Sequence, residues 1–170
     1  MSTTLLITAT AKAEKYEQLN SQIESLLKDE KDTVAAMATI TAAIQQTFEL
    51  LWVGFYLVKE KPEKEKEKQL VIGPFQGPVA CLRIDFGKGV CGKAWKDKKT
   101  INVPNVDLFV DHIACSSASR SEIVVPVFNS EKEVVAVLDL DSAWLSEFDE
   151  DDINGLEKIV ELLKDFNFYA

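Results

Sequence analysis

An α+β fold, with a central antiparallel sheet of about six strands flanked by N-terminal and C-terminal helices, is what the 170-residue sequence predicts. Three observations predict it. Two stretches with helical spacing of apolar residues precede any strand-like run. The strand-like runs that follow are joined by connections of hairpin type, and one more amphipathic helix closes the chain. With 46% hydrophobic residues, a chain of this length can bury one core and is short for two ordinary domains. A single domain over 1–170 is expected, with helices in 1–50 and the sheet, its loops and the last helix in 51–170.

From Lys12 to Leu27 the residues Tyr16, Leu19, Ile23, Leu26 and Leu27 recur at three- and four-residue steps, which predicts an amphipathic helix. Asp32 is placed to cap a second helix, whose apolar positions are Val34, Met37, Ile40, Ile44 and Phe48. Leu51 to Val58 is β-branched and aromatic, a buried strand. Lys59 to Lys68 alternates charge without an apolar residue and is expected to be a solvated hairpin loop before the returning strand Gln69–Phe75. A third strand is expected over Val79–Ile84, beyond the turn-rich junction at Gly73-Pro74 and Gly77-Pro78. Gly87 to Trp95 reads as a turn and a short helix. Its glycines lack the spacing of a phosphate-binding loop. Thr100–Val103 is a brief strand, and Asp107–Arg120 a long loop. Glu122–Phe128 and Glu133–Asp141 form a hairpin around Asn129-Ser130-Glu131. Acidic residues Asp149 to Asp152 then open a helix carrying Ile153, Leu156, Ile159, Val160, Leu163 and Phe166 on its apolar side.

The formal charge of −9 and a pI near 4.7 leave no basic face to neutralise phosphates, so nucleic acid and anionic membrane are poor partners. The N-terminus has no basic start and long apolar run of a secretory signal, and no stretch reaches the length of a membrane span. A cytoplasmic protein is expected, in which three cysteines are reduced at rest and redox or metal roles outweigh permanent disulfides.

The chemistry is concentrated around the stretch from His112 to Val127, where Cys115 lies on a loop of small polar residues and Glu122 stands at a strand mouth. Asp139 and Asp141, two apart on a strand, project from one face and can converge on a site, or Asp141 can cap the following turn. Cys81, Cys91 and Cys115 form no C-x-x-C pair. A zinc site of the three with His112 is open in number but lacks the close ligand spacing of zinc modules. Three thiols among acidic residues suit redox chemistry, in which one thiolate attacks and a second resolves.

Trp52-Val-Gly-Phe-Tyr56, Gly73-Pro-Phe-Gln-Gly77, Val79-Ala-Cys81, Gly87-Lys-Gly-Val-Cys-Gly92, His112-Ile-Ala-Cys115, Ser121-Glu-Ile-Val-Val-Pro126 and Leu138-Asp-Leu-Asp141 together resemble the successive motifs of the free methionine-(R)-sulfoxide reductases, single-domain enzymes of GAF fold. Leu51 stands where an Asn commonly precedes the Trp, and Ser116 where an Asp commonly follows the Cys. The resemblance implies Cys115 as nucleophile and Cys81 as its resolving partner, with Cys91 as the alternative resolver. It also implies that Glu122, Asp139 and Asp141 line the polar side of a pocket and Trp52 and Tyr56 the apolar side. Glu122 would protonate the sulfoxide oxygen, since thiolate attacks the sulfur only as that oxygen gains a proton. The implied substrate is free L-methionine (R)-S-oxide. The implied reductant is an external dithiol such as thioredoxin, with no bound cofactor and no metal, and a homodimer is left open. A ligand-sensing GAF module without catalysis and a zinc-stabilised interaction domain are the readings from other classes.

Overall fold

The structure, a computed structural model, describes residues 4–110, 113 and 117–168, with only the backbone at residue 65. Helix α1 spans Lys12–Leu27 and buries Tyr16, Leu19, Ile23 and Leu27, the helical stripe of the sequence, whereas Leu26 is exposed. Helix α2 spans Thr33–Phe48, and its first turn is held by Asp32 Oδ1, which accepts from the Ala35 amide at 2.8 Å. Val34, counted on its apolar face, is exposed. Strands β1 (Trp52–Lys61) and β2 (Lys64–Gln76) form a hairpin.

The expected loop over Lys59–Lys68 is mostly strand. Pairing continues from Lys59 opposite Gln69 and Glu60 opposite Lys68 to Lys61 opposite Lys64. Backbone pairing needs no apolar side chains; Glu60 faces Lys68 across the ladder, and Lys61 Nζ, whose direct partner is Lys64, lies 3.6 Å from Glu67 and 2.7 Å from Asp85. The third strand is shorter than expected: β3 is Arg83–Asp85 alone. Residues 79–82 are not strand, although the Leu82 carbonyl still accepts from the Ile72 amide of β2 at 3.2 Å. The Pro78 carbonyl accepts from Trp52 Nε1, and the Cys81 carbonyl from the Tyr56 hydroxyl.

Helix α3 (Gly89–Asp97), β4 (Ile101–Val103) and a short 3-10 turn (Val106–Leu108) precede β5 (Ser121–Phe128) and β6 (Val134–Ser142), and α4 (Glu150–Glu161) closes the chain. The six strands run antiparallel in the order β3-β2-β1-β6-β5-β4. One face meets the helices: α2 packs on β1 and β2, α4 on β5, and α1 on both helices. A core of Val53, Phe55, Ile123, Val125, Leu138 and Leu140 fills that side. A second core, with Trp52, Tyr56, Val124 and Val137, lies on the other face under α3. Burial on both faces explains why the central strands read as continuous apolar runs.

The first and last helices are tied at their N-termini. Lys12 Nζ lies 2.6 Å from Asp152 and 3.0 Å from Asp149, and the Tyr16 hydroxyl donates to Asp152 at 2.9 Å. Asp149 and Asp152 also form a capping box at the start of α4. Among the described residues no helix is long and apolar enough to cross a membrane.

Candidate active site

The site is assembled by strand register. From Ala136 onward the residues of β6 alternate, Ala136, Leu138 and Leu140 facing the helices and Val137, Asp139 and Asp141 sharing the face under α3. Asp141 pairs with Trp52 on one side and Glu122 on the other, while Asp139 pairs with Gly54 and Val124. Trp52, Tyr56, Glu122, Asp139 and Asp141 therefore occupy one continuous patch on three adjacent strands.

An aromatic wall forms one side of that patch. Trp52 stacks on Tyr56 and Phe75, with ring centroids 5.9 and 5.5 Å apart. Gly54 permits the arrangement: a Cβ there would run into the Trp52 ring and lie 2.5 Å from Phe75 Cβ. Tyr56 is 1% exposed, and burial, followed by the Asp139 charge, holds its phenol protonated well above the usual range.

Carboxyl groups form the other side. Glu122 and Asp139 are each 6% exposed and share a hydrogen bond. Burial first, and the Asp141 charge second, push both groups far above ordinary carboxyl values. Both groups are thus biased toward their protonated, neutral forms. Asp139 Oδ1 is buried with no hydrogen-bond partner among the described residues. Asp141 accepts a hydrogen bond from Ser119 Oγ, a residue the sequence reading did not single out.

Cys91 is not in a flexible turn, as its neighbouring glycines suggest. It sits in the first turn of α3, 3% exposed, with its thiol hydrogen-bonded to Asp139. Gly92 lets α3 press against the β3 end, where a Cβ would lie 2.5 Å from the Asp85 carbonyl oxygen. Burial, then the Asp139 and Glu122 charges, raises the Cys91 thiol well above its usual range, so it stays protonated and weakly nucleophilic. Cys81 is disulfide-bonded, and because Cys91 is a free thiol the bond does not involve it. In this form Cys81 is no metal ligand. Cys115 and His112 lie outside the described residues.

Phe75, Gly54 and Ser119 are the site residues that sequence reasoning missed. The first two fall inside the motifs quoted above, but stacking across a hairpin shows only once the register is known.

Comparison with known proteins defines the class first. The GAF domain model matches residues 32–164, and the fold is that of a GAF domain. The chain is 48% identical over 163 residues to GAF domain-containing protein A of Dictyostelium discoideum, covering 96% of this chain and 99% of that protein. It is 36% identical to the free methionine-R-sulfoxide reductase of Escherichia coli, covering 90% and 88% of the two chains. The solved structure of free methionine-R-sulfoxide reductase from Neisseria meningitidis in complex with its substrate superposes with a TM-score of 0.89 at 47% identity, over 96% of this chain and 94% of that one. The chain belongs to the free methionine-R-sulfoxide reductase family of GAF domains.

Proposed function

We propose that this chain reduces free L-methionine (R)-S-oxide to L-methionine in the cytoplasm, with Cys115 as nucleophile and Cys81 as resolving thiol. The observation that carries the reading is the patch itself. A buried aromatic wall of Trp52 and Tyr56 faces Glu122, Asp139 and Asp141, and Tyr56 is hydrogen-bonded to the residue that holds the disulfide. Family membership supports the substrate class, since relatives over nearly the whole chain bear that activity in their names.

The residues divide the work by chemistry. Trp52 and Tyr56 receive the S-methyl group, and Asp139 and Asp141 hold the ammonium of a free amino acid. The Cys115 thiolate attacks the sulfoxide sulfur while the proton held in the Glu122–Asp139 pair passes to the departing oxygen. Methionine leaves, and the oxygen remains on Cys115 as a sulfenic acid. The Cys81 thiol condenses with it, releasing water and forming a disulfide. An external dithiol of the thioredoxin class then reduces that bond, so the cycle needs no bound cofactor. The net reaction converts one sulfoxide and two external thiols into one thioether, one disulfide and water. Cys91, buried and protonated beside Asp139, stays outside the cycle.

The test is methionine formation from the two separated sulfoxide epimers with dithiothreitol, followed by peptide mapping after one equivalent of substrate. Conversion of the free (R) epimer alone, with a Cys81–Cys115 peptide, is expected. Equal rates on the (S) epimer or on peptide-bound sulfoxide would defeat the substrate assignment, and a Cys91–Cys115 peptide as sole product would defeat that of Cys81. Cys115→Ser should abolish even one turnover, whereas Cys81→Ser should permit the first.

A further inference from the structure

We propose that Cys91, Glu122 and Asp139 form a binding site for a thiophilic divalent cation of the zinc and cadmium class, and that its occupancy shuts the enzyme off. One ligand atom from each of the three lies within 4.8 Å of the other two. They come from three separate elements, α3, β5 and β6, and all three are buried. Ligands on packed helix and strand are held in place before the ion arrives.

The independent observation is Asp139 Oδ1, buried with no hydrogen-bond partner among the described residues. A bare carboxylate oxygen in a packed core is costly, and this one lies within the same cluster as the Glu122 carboxylate and the Cys91 sulfur, where an electropositive ligand would satisfy it. An ammonium group satisfies it with a hydrogen bond. A divalent ion satisfies it together with Glu122 and Cys91, and neutralises charge that this apolar surrounding otherwise disfavours.

The donor set selects the ion. Two carboxylates alone would suit magnesium or calcium, which demand six or more oxygens. One sulfur and two oxygens, with a fourth position open to water, suit tetrahedral zinc or cadmium instead. Tetrahedral zinc bonds of about 2.0–2.3 Å place ligand atoms about 3.3–3.8 Å apart. The observed cluster has only to close by about an ångström, within reach of side-chain rotation. A bound ion would displace the proton from the Glu122–Asp139 pair and occupy the place of the substrate ammonium. The inhibitory half of the proposal rests on the functional reading above, while the binding half does not.

Because Cys91 is free while Cys81 is disulfide-bonded, the site exists in the oxidised chain, where Cys91 is the free thiol among the described residues. The oxidised protein is therefore titrated with cadmium, followed by ultraviolet thiolate-to-cadmium absorption, and with zinc in competition with a chromogenic chelator. One ion per chain is expected, with the thiolate band present and no displacement by excess magnesium or calcium. Cys91→Ala should remove the band, and Asp139→Asn should weaken binding by at least about the tenfold that loss of an outer-shell partner brings. Each variant is checked for a wild-type circular dichroism spectrum, so that a folding failure in one leaves the other to decide. No binding to the oxidised chain, or a band that survives Cys91→Ala, overturns the site. Zinc should also inhibit methionine formation competitively with free methionine sulfoxide. Stoichiometric binding without inhibition would overturn the regulatory half alone, and a chain inactive on sulfoxide would still report binding.

Discussion

The hydroxyl of Tyr56 donates a hydrogen bond to the carbonyl oxygen of Cys81 at 3.0 Å, tying the middle of β1 to the loop that carries the disulfide-bonded Cys81. This bond and that of Trp52 Nε1 to Pro78 join the loop to the aromatic wall, beside the Ile72 amide bond to Leu82 and the Cys81 disulfide. Tyr56→Phe keeps the ring and removes the tether. It is expected to lower stability by about 0.5–1.5 kcal/mol, to leave single-turnover methionine formation nearly unchanged, and to slow disulfide formation after it. A wild-type rate of disulfide closure, followed by quenched-flow alkylation, would show that the tether does not position Cys81.

Glu122→Gln removes the proposed proton donor without changing shape. The chemical step should fall by about 10²–10⁴-fold, the usual contribution of general acid catalysis, while the melting temperature stays at or above that of the wild type. Single-turnover methionine release is the measurement, and a near-normal rate would remove Glu122 from the acid's role.

Asp139 links the site to pH-dependent stability. Its folded-state value is raised above its unfolded one, chiefly by burial. The protonated group's contribution is therefore fully present below the unfolded value and is lost as pH rises through the folded one. Asp139→Asn should accordingly be more stable than the wild type at neutral and alkaline pH, with an advantage that shrinks toward about pH 4. Thermal melts across this range are the check, each kcal/mol appearing as about 2–4 °C in a chain of this size. An advantage independent of pH would mean that the carboxyl is not held out of water.

Gly54→Ala tests the aromatic wall. The added Cβ collides with the Trp52 ring and with Phe75, so the indole must tilt. A stability loss of about 1–3 kcal/mol is expected from overpacking, with a rise in KM larger than the fall in kcat if, as proposed, the wall binds methyl without taking part in proton transfer. Unchanged KM would place the S-methyl group elsewhere.

Parts of this arrangement were legible before any coordinates. The two-residue spacing of Asp139 and Asp141 put them on one face, and the helical stripes of α1 and α4 were periodic enough to assign. The partnership of Glu122 with Asp141 was not legible from either strand alone, because it depends on pairing. That pairing is set by a turn in which Asn129 Oδ1 accepts from the amides of Glu131 and Glu133 at 3.0 and 2.9 Å. The short helix of Cys91 was legible, but its burial was not, because the close approach of α3 to a backbone that Gly92 allows shows only in three dimensions. The length of β2 was missed because apolar alternation reports burial, and the outer part of that hairpin is a ladder with nothing to bury.

The alternation of β6 has a consequence for how the chain finds its own pairing. A slip of one residue against β1 and β5 would carry Asp139 and Asp141 into the helix-covered core and turn Leu138 and Leu140 toward the pocket. Two ionisable groups would then be stranded in hydrocarbon, a far heavier cost than the few hydrogen bonds such a mispairing preserves. The acids thus serve as a key that fits one alignment of the strands, and a chain that has folded out of register is at once unstable and without its catalytic face.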